Sequence, residues 1–116
     1  LLAFDGGARS ELALFACAYL CLRNGARPVV LSVSELGRST QSTLARAREY
    51  LARLGVEADL VAGSGAVPDA ILTTAADEGC DLILLGSYKY SRWLERVTGG
   101  VTERVVARST VPVLIT

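Results

Sequence analysis

Asp81-Leu-Ile-Leu-Leu-Gly86-Ser87, then a polar stretch, then Gly99-Gly100-Val101-Thr102-Glu103, and last Val111-Pro-Val-Leu-Ile115 decide the fold of this chain. An apolar strand runs into glycine. A glycine pair opens a helix, and a second apolar strand follows. Glycines at these two places let backbone N–H groups approach an anion, and the start of a helix adds its positive dipole end. They serve equally well as plain turn residues.

Upstream, the same alternation of strand and helix recurs. Residues 1–4 are apolar and stop at Asp5-Gly6-Gly7, which reads as strand then turn. Ala13, Ala16, Cys17, Leu20 and Cys21 repeat with helical spacing, and Asn24-Gly25 stops that helix. Residues 28–33 form a second apolar run, followed by a polar loop over 34–41. Leu44, Ala47, Leu51 and Leu54 make one face of an amphipathic helix that Gly55 ends. Residues 56–62 alternate and predict a third, more exposed edge strand, with Gly63-Ser64-Gly65 as its turn. Pro68 suits a first helical turn, Asp69 favours the dipole there, and Ile71, Leu72, Ala75 and Ala76 are expected to face inward. Residues 81–85 give the fourth strand, about 100–109 the last helix and 111–115 the fifth strand. Near-continuous apolar strands alternating with helices predict an α/β domain with a parallel sheet covered on both faces.

Composition narrows the function. The 116 residues suffice for one domain and one core, and 51% of them are hydrophobic. Twelve basic residues balance twelve acidic ones, so a neutral chain with no basic block makes a poor nucleic-acid binder. No apolar run approaches the ~20 residues of a membrane span. There is no secretory signal, and a cytoplasmic location is expected. The chain opens with Leu1-Leu2-Ala3-Phe4 and no methionine, as expected of a piece of a longer or tandem protein. No histidine is present, which argues against Ser-His-Asp, Cys-His and zinc-hydrolase sites. Cys17 and Cys21 lie one helical turn apart, a poor disulfide geometry, and with Cys80 they read as buried reduced thiols.

In an open doubly wound sheet, ligands bind outside the carboxyl ends of the strands. Three loops meet there in this chain. Asp5 can accept hydrogen bonds from a ribose or an adenine amino group, or can cap the turn before the first helix. Val33 can lie against a base, or can belong to the strand core. Gly86 and the Gly99-Gly100 pair frame a helix start. Asp5, Lys89 and Arg92 offer charge around a triphosphate, but no general base or metal-binding carboxylate pair follows from the spacing. The domain is therefore expected to bind rather than catalyse, with hydrolysis slow and incidental at most.

From end to end the chain resembles the universal stress protein family. The family's fourth-strand loop follows G-x2-G-x9-G-[ST]. Here Gly86 takes the first position, Lys89 replaces the second glycine, Gly99 keeps the third, and Gly100 stands for the small hydroxyl residue. Val101-Thr102-Glu103, Val111-Pro112-Val113-Leu114 and Ala3-Phe4-Asp5-Gly6 continue the likeness. The resemblance implies a five-stranded sheet of order 3-2-1-4-5 and a stress-response role. It also implies an adenine-nucleotide site, with ATP and magnesium, formed by Ala3, Asp5, Val33, Gly86, Lys89, Gly99, Gly100 and Val101. It implies a homodimer or tandem pseudo-dimer joined through the last strand, an apolar edge open to pairing. Lys89 divides two readings. As a phosphate ligand it keeps the site; as a plug it leaves a dimerisation or scaffold module with a degenerate site. Asp5-Gly6-Gly7-Ala8-Arg9-Ser10 is also similar to the S-G-G-x-D-S loop of ATP pyrophosphatases. There, however, Asp5 replaces the first serine and Arg9 the aspartate, and the chain is short for a second, substrate domain.

Overall fold

The computed structural model describes residues 1–34, 39–87 and 99–116. Within them the order is β1 (Leu2–Ala3), α1 (Ala8–Asn24), β2 (Val29–Ser34), α2 (Gln41–Arg53), β3 (Asp59–Ser64), α3 (Val67–Asp77), β4 (Ile83–Leu85), α4 (Val101–Arg108) and β5 (Val113–Ile115). The five strands form one sheet in the order β3-β2-β1-β4-β5, and every pairing is parallel. This is the order that the resemblance implied, with strands one, two and four at the centre.

Side chains on a strand alternate between faces, and here that alternation sorts the core. Leu2 lies in register with Val30 on one side and Leu84 on the other. These three share a buried cluster with Ala13, Leu14 and Cys17 of α1 and Leu44, Ala47 and Leu51 of α2. Their neighbours Leu1, Leu31, Ile83 and Leu85 turn to the opposite face, against Ile71 and Ala75 of α3 and Val105 of α4. Central strands with both faces covered are apolar along most of their length, buried Ser32 in β2 being an exception, which is why these runs are nearly continuous in the sequence.

The third strand departs from expectation. It starts at Asp59, three residues later than the alternation of residues 56–62 suggested, and it includes Gly63 and Ser64. Val56 is buried in the connection instead, and its N–H donates to the carbonyl of Leu51 at 2.9 Å. Gly63 is no turn residue: a Cβ there would stand 2.9 Å from Leu31 Cδ1 and 3.4 Å from Val33 Cγ2. The turn falls at Gly65, whose φ of +85° is the left-handed region that glycine enters without strain. Two helical positions expected inside are exposed, Leu54 just past the end of α2 and Ala76 near the end of α3. The outer side of α1 carries exposed Leu12, Phe15, Tyr19 and Leu22, with the Phe15 ring 5.2 Å from that of Tyr50.

Cys17, Cys21 and Cys80 are free, and the first two are buried. Burial, reinforced by Cys21 beside it, pushes the Cys17 thiol from 9.0 up to about 12. A thiol kept neutral in the fold but ionised once unfolded stabilises the fold fully below pH 9. That contribution is lost as pH climbs from there towards 12. Cys17→Ala is expected to remove this slope, at most about 1.4 kcal/mol per pH unit. Urea unfolding of both proteins between pH 8 and 11 measures it; parallel stability curves in that window would show that Cys17 does not titrate this way.

Candidate functional site

The carboxyl ends of β1, β2 and β4 open into one cavity of about 140 Å³. Ala3, Leu31, Val33 and Leu85 form its apolar floor, with Val67 and Ile71 of α3 at one side. Its polar wall carries Asp5, Arg9, Ser10, Ser87 and Thr102. The floor residues lie on the α3/α4 face of the sheet because the same alternation that builds the core places them there.

The turn after β1 is braced by Asp5. Its Oδ1 accepts from the Gly7 N–H at 2.8 Å and from the Ser10 hydroxyl at 2.6 Å. This satisfies a donor at the start of α1 and pins the buried Ser10. The capping role read from the sequence is therefore realised. It does not use up the group, since a carboxylate has two oxygens and about four acceptor positions. Arg46 of α2 ties this turn from outside, pairing with Glu11 and reaching the Gly6 carbonyl at 3.4 Å.

Gly86 has a packing reason beside the one that its motif suggests. A Cβ there would stand 2.5 Å from the Arg9 carbonyl carbon, 2.6 Å from its oxygen and 2.7 Å from the Ser10 nitrogen. All three are backbone atoms. The first turn of α1 rests directly on the end of β4, and only glycine leaves room. Beside it, the Ser87 N–H donates to the Thr116 carbonyl at 2.9 Å, and the Thr116 hydroxyl donates to the Arg9 carbonyl at 3.3 Å. The ends of β4 and β5 and the start of α1 are thus joined at one point.

Across the cavity stands the start of α4. Gly99 has a φ of +65°, and Gly100 is the extended residue that caps the helix, without a side-chain hydrogen bond. The first amides of a helix have no partner within it, so those of Val101 and Thr102 are available at the cavity edge. A Cβ on Gly100 would meet nothing within 4 Å. Thr102 Oγ1 is shut off from solvent and has no hydrogen-bond partner among the described residues.

Of the eight residues expected to hold a nucleotide, Ala3, Asp5, Val33, Gly86 and Val101 line this one cavity. Gly99 and Gly100 lead into α4 just behind Val101 but are not among its lining residues. Lys89 and Arg92 lie outside the described residues. Arg9, Ser87 and Thr102 were not expected there. Arg9 stood out in the sequence only as a mismatch to another family's loop, although the helical start at Ala8 already set it beside Ser10. Among the described residues no group of three or more His, Cys, Asp or Glu side chains is placed to hold a metal ion.

Gly86→Ala is expected to cost about 1–3 kcal/mol of stability, because backbone must move to admit one methyl group. Gly100→Ser, in open space and at a helix cap, is expected to change stability by only a few tenths of a kcal/mol. Urea denaturation of the two variants tests the contrast. Equal stability of Gly86→Ala and the parent protein would show that α1 does not rest on β4 as described.

The chain matches the model of the universal stress protein family over residues 1–116. Universal stress protein YxiE of Bacillus subtilis is 34% identical over 82 residues, 71% of this chain and 55% of that protein. The chain spans about half the length of the curated relatives it matches. A universal stress protein crystallised in complex with cAMP superposes with a TM-score of 0.87 at 22% identity, over 99% of this chain and 92% of the other. The Archaeoglobus fulgidus universal stress protein in complex with dAMP gives a TM-score of 0.72 at 22% identity, over 96% and 90%. At such identities the structural likenesses show a common fold. With the family match over its whole length, the strand order 3-2-1-4-5 is the architecture of its relatives, and the chain belongs to the universal stress protein family.

Proposed function

We propose that this domain binds an adenine nucleotide at the carboxyl end of its sheet and serves as a nucleotide-responsive module of the stress response. The observation that carries this reading is the single cavity on which Ala3, Asp5, Val33, Gly86 and Val101 converge from three strand ends and one helix start. Its halves differ in chemistry. The floor around Val33 and Leu31 is apolar and suits a base, with Asp5 near enough in the same cavity to accept from an amino or ribose hydroxyl group. The other half joins Gly86 to the first amides of α4, a helix start suited to an anion. Relatives of this fold have been crystallised with cAMP and with dAMP, which supports an adenine nucleotide as the class of ligand.

Binding without turnover fits the same residues. Asp5 is the one carboxylate among the described cavity residues, and one of its oxygens holds the turn. With Asp5 accepting from the base or ribose, no other described carboxylate lines the cavity to activate water, so hydrolysis is slow at most. Where ATP is the ligand, magnesium arrives on its phosphates, the usual mode for this ion.

Assembly belongs to the same proposal. β5 ends the sheet, and Leu114 and Ile115 on it are exposed. An apolar edge strand offers unpaired N–H and C=O groups to a partner. We propose that a second domain of the same kind pairs here, as a homodimer or as the other half of a tandem protein. Leu114→Lys is expected to convert the assembly to monomer in sedimentation velocity. A monomeric parent protein at high concentration, with no second domain on its polypeptide, would overturn this.

Calorimetry with AMP, ADP and ATP tests the site. Val33→Glu is expected to weaken binding ~10-fold or more, by placing a carboxylate on the apolar floor. Lys89→Gly decides the two readings of the loop. Loss of a charge-assisted contact worth ~1.5–3 kcal/mol identifies Lys89 as a phosphate ligand, whereas tighter binding identifies a plug. No binding at millimolar nucleotide by the parent protein or by Lys89→Gly would leave only the interaction-module reading.

A further inference from the structure

Arg9 is the one described cation that lines the cavity. Its position is fixed by backbone contacts. Gly86 approaches its carbonyl group so closely that no Cβ fits, and the Thr116 hydroxyl donates to its carbonyl oxygen at 3.3 Å. Both contacts come from the β4–β5 side of the sheet, away from the Val33 floor at the end of β2. The backbone of Arg9 is therefore held at the Gly86 side of the cavity, and its exposed side chain starts from there. Four other arginines have acidic partners: Arg27 pairs with Asp59, Arg46 with Glu11, Arg53 with Glu49 and Arg108 with Asp69. Arg9 is exposed at the cavity, and the one carboxylate lining it, Asp5, turns Oδ1 to Gly7 and Ser10.

We propose that Arg9 reads the phosphate of the ligand, so that the domain selects a phosphorylated adenine nucleoside over the unphosphorylated one. The adenine part rests on the nucleotide reading above; the phosphate part rests on Arg9, the one described cation on the cavity. A guanidinium presents planar paired donors that match phosphate oxygens two at a time, and it stays charged at every working pH. The sequence motif assigns phosphate to the glycines and the loop that follows β4. Arg9 comes instead from α1, so the phosphate is held from a second element.

Calorimetry with adenosine, AMP and pyrophosphate, on the parent protein, Arg9→Gln and Arg9→Lys, tests this. The parent protein is expected to bind AMP at least ~10-fold more tightly than adenosine. Arg9→Gln is expected to abolish that preference and leave adenosine binding as it was; Arg9→Lys restores part of it, as a point charge does. Retention of the full preference by Arg9→Gln overturns the proposal, and so does equal loss of adenosine and AMP, the mark of a merely structural role. If the parent protein ignores both nucleosides yet binds pyrophosphate through Arg9, the adenine reading fails while the phosphate role stands. If it binds none of the three, both fail.

Discussion

The contact on which the rest depends is backbone against backbone. Gly86 at the end of β4 lies so close to Arg9 and Ser10 that a single methyl group cannot enter. This contact sets the height of α1 above the sheet. It brings the turn after β1 to the end of β4, and so places Asp5 and Arg9 on the same cavity as Val101 and Thr102. A side chain at position 86 lifts α1 and separates the two walls. Stability and site geometry here are one constraint, with the hydrogen bonds of Ser87 and Thr116 closing it from β5.

The layers follow from a simpler rule. Parallel strands paired in register put Leu2, Val30 and Leu84 in one row and Ala3, Leu31 and Leu85 in the next. The first row is sealed by α1 and α2. The second is sealed by α3 and α4 only as far as the strand ends, where Leu31, Leu85 and Ala3 become the floor of the cavity. The apolar floor is thus the end of the core that the cavity reaches, with Val67 and Val101 beginning their helices at its rim.

Most of this was legible in the sequence because apolar continuity, glycine stops and Pro68 all report on local conformation. Fold class and strand order followed from those signals and from the family likeness. What local rules leave out is tertiary packing. Gly63 looked like a turn residue, but it lies inside β3 in register with Val33, where a Cβ would meet the Leu31 side chain at 2.9 Å, a fact about strand pairing that local rules do not carry. Gly86 likewise reads as a phosphate-loop glycine, while its tightest neighbours belong to α1. Arg9 was invisible for the same reason. Nothing in its own neighbourhood marks it, and its place on the cavity appears only once α1 rests on β4. Lys89, the residue that the motif made decisive, lies outside the described residues.

Asp5 links fold and ligand most directly. Its Oδ1 serves the Gly7 amide and the Ser10 hydroxyl, and Ser10 is buried in the turn that Gly86 touches. A ligand donating to the remaining acceptor positions of that carboxylate tightens a group already holding the start of α1. Through α1 the same strain or support reaches Arg9, one residue before Ser10. Arg46 anchors the turn from the far side through Glu11 and the Gly6 carbonyl, which limits how far it can yield. The Val33 side and the Gly86 side of the cavity are therefore linked through one turn of helix. A ligand that engages both halves orders that turn more than the sum of two fragments that each engage one.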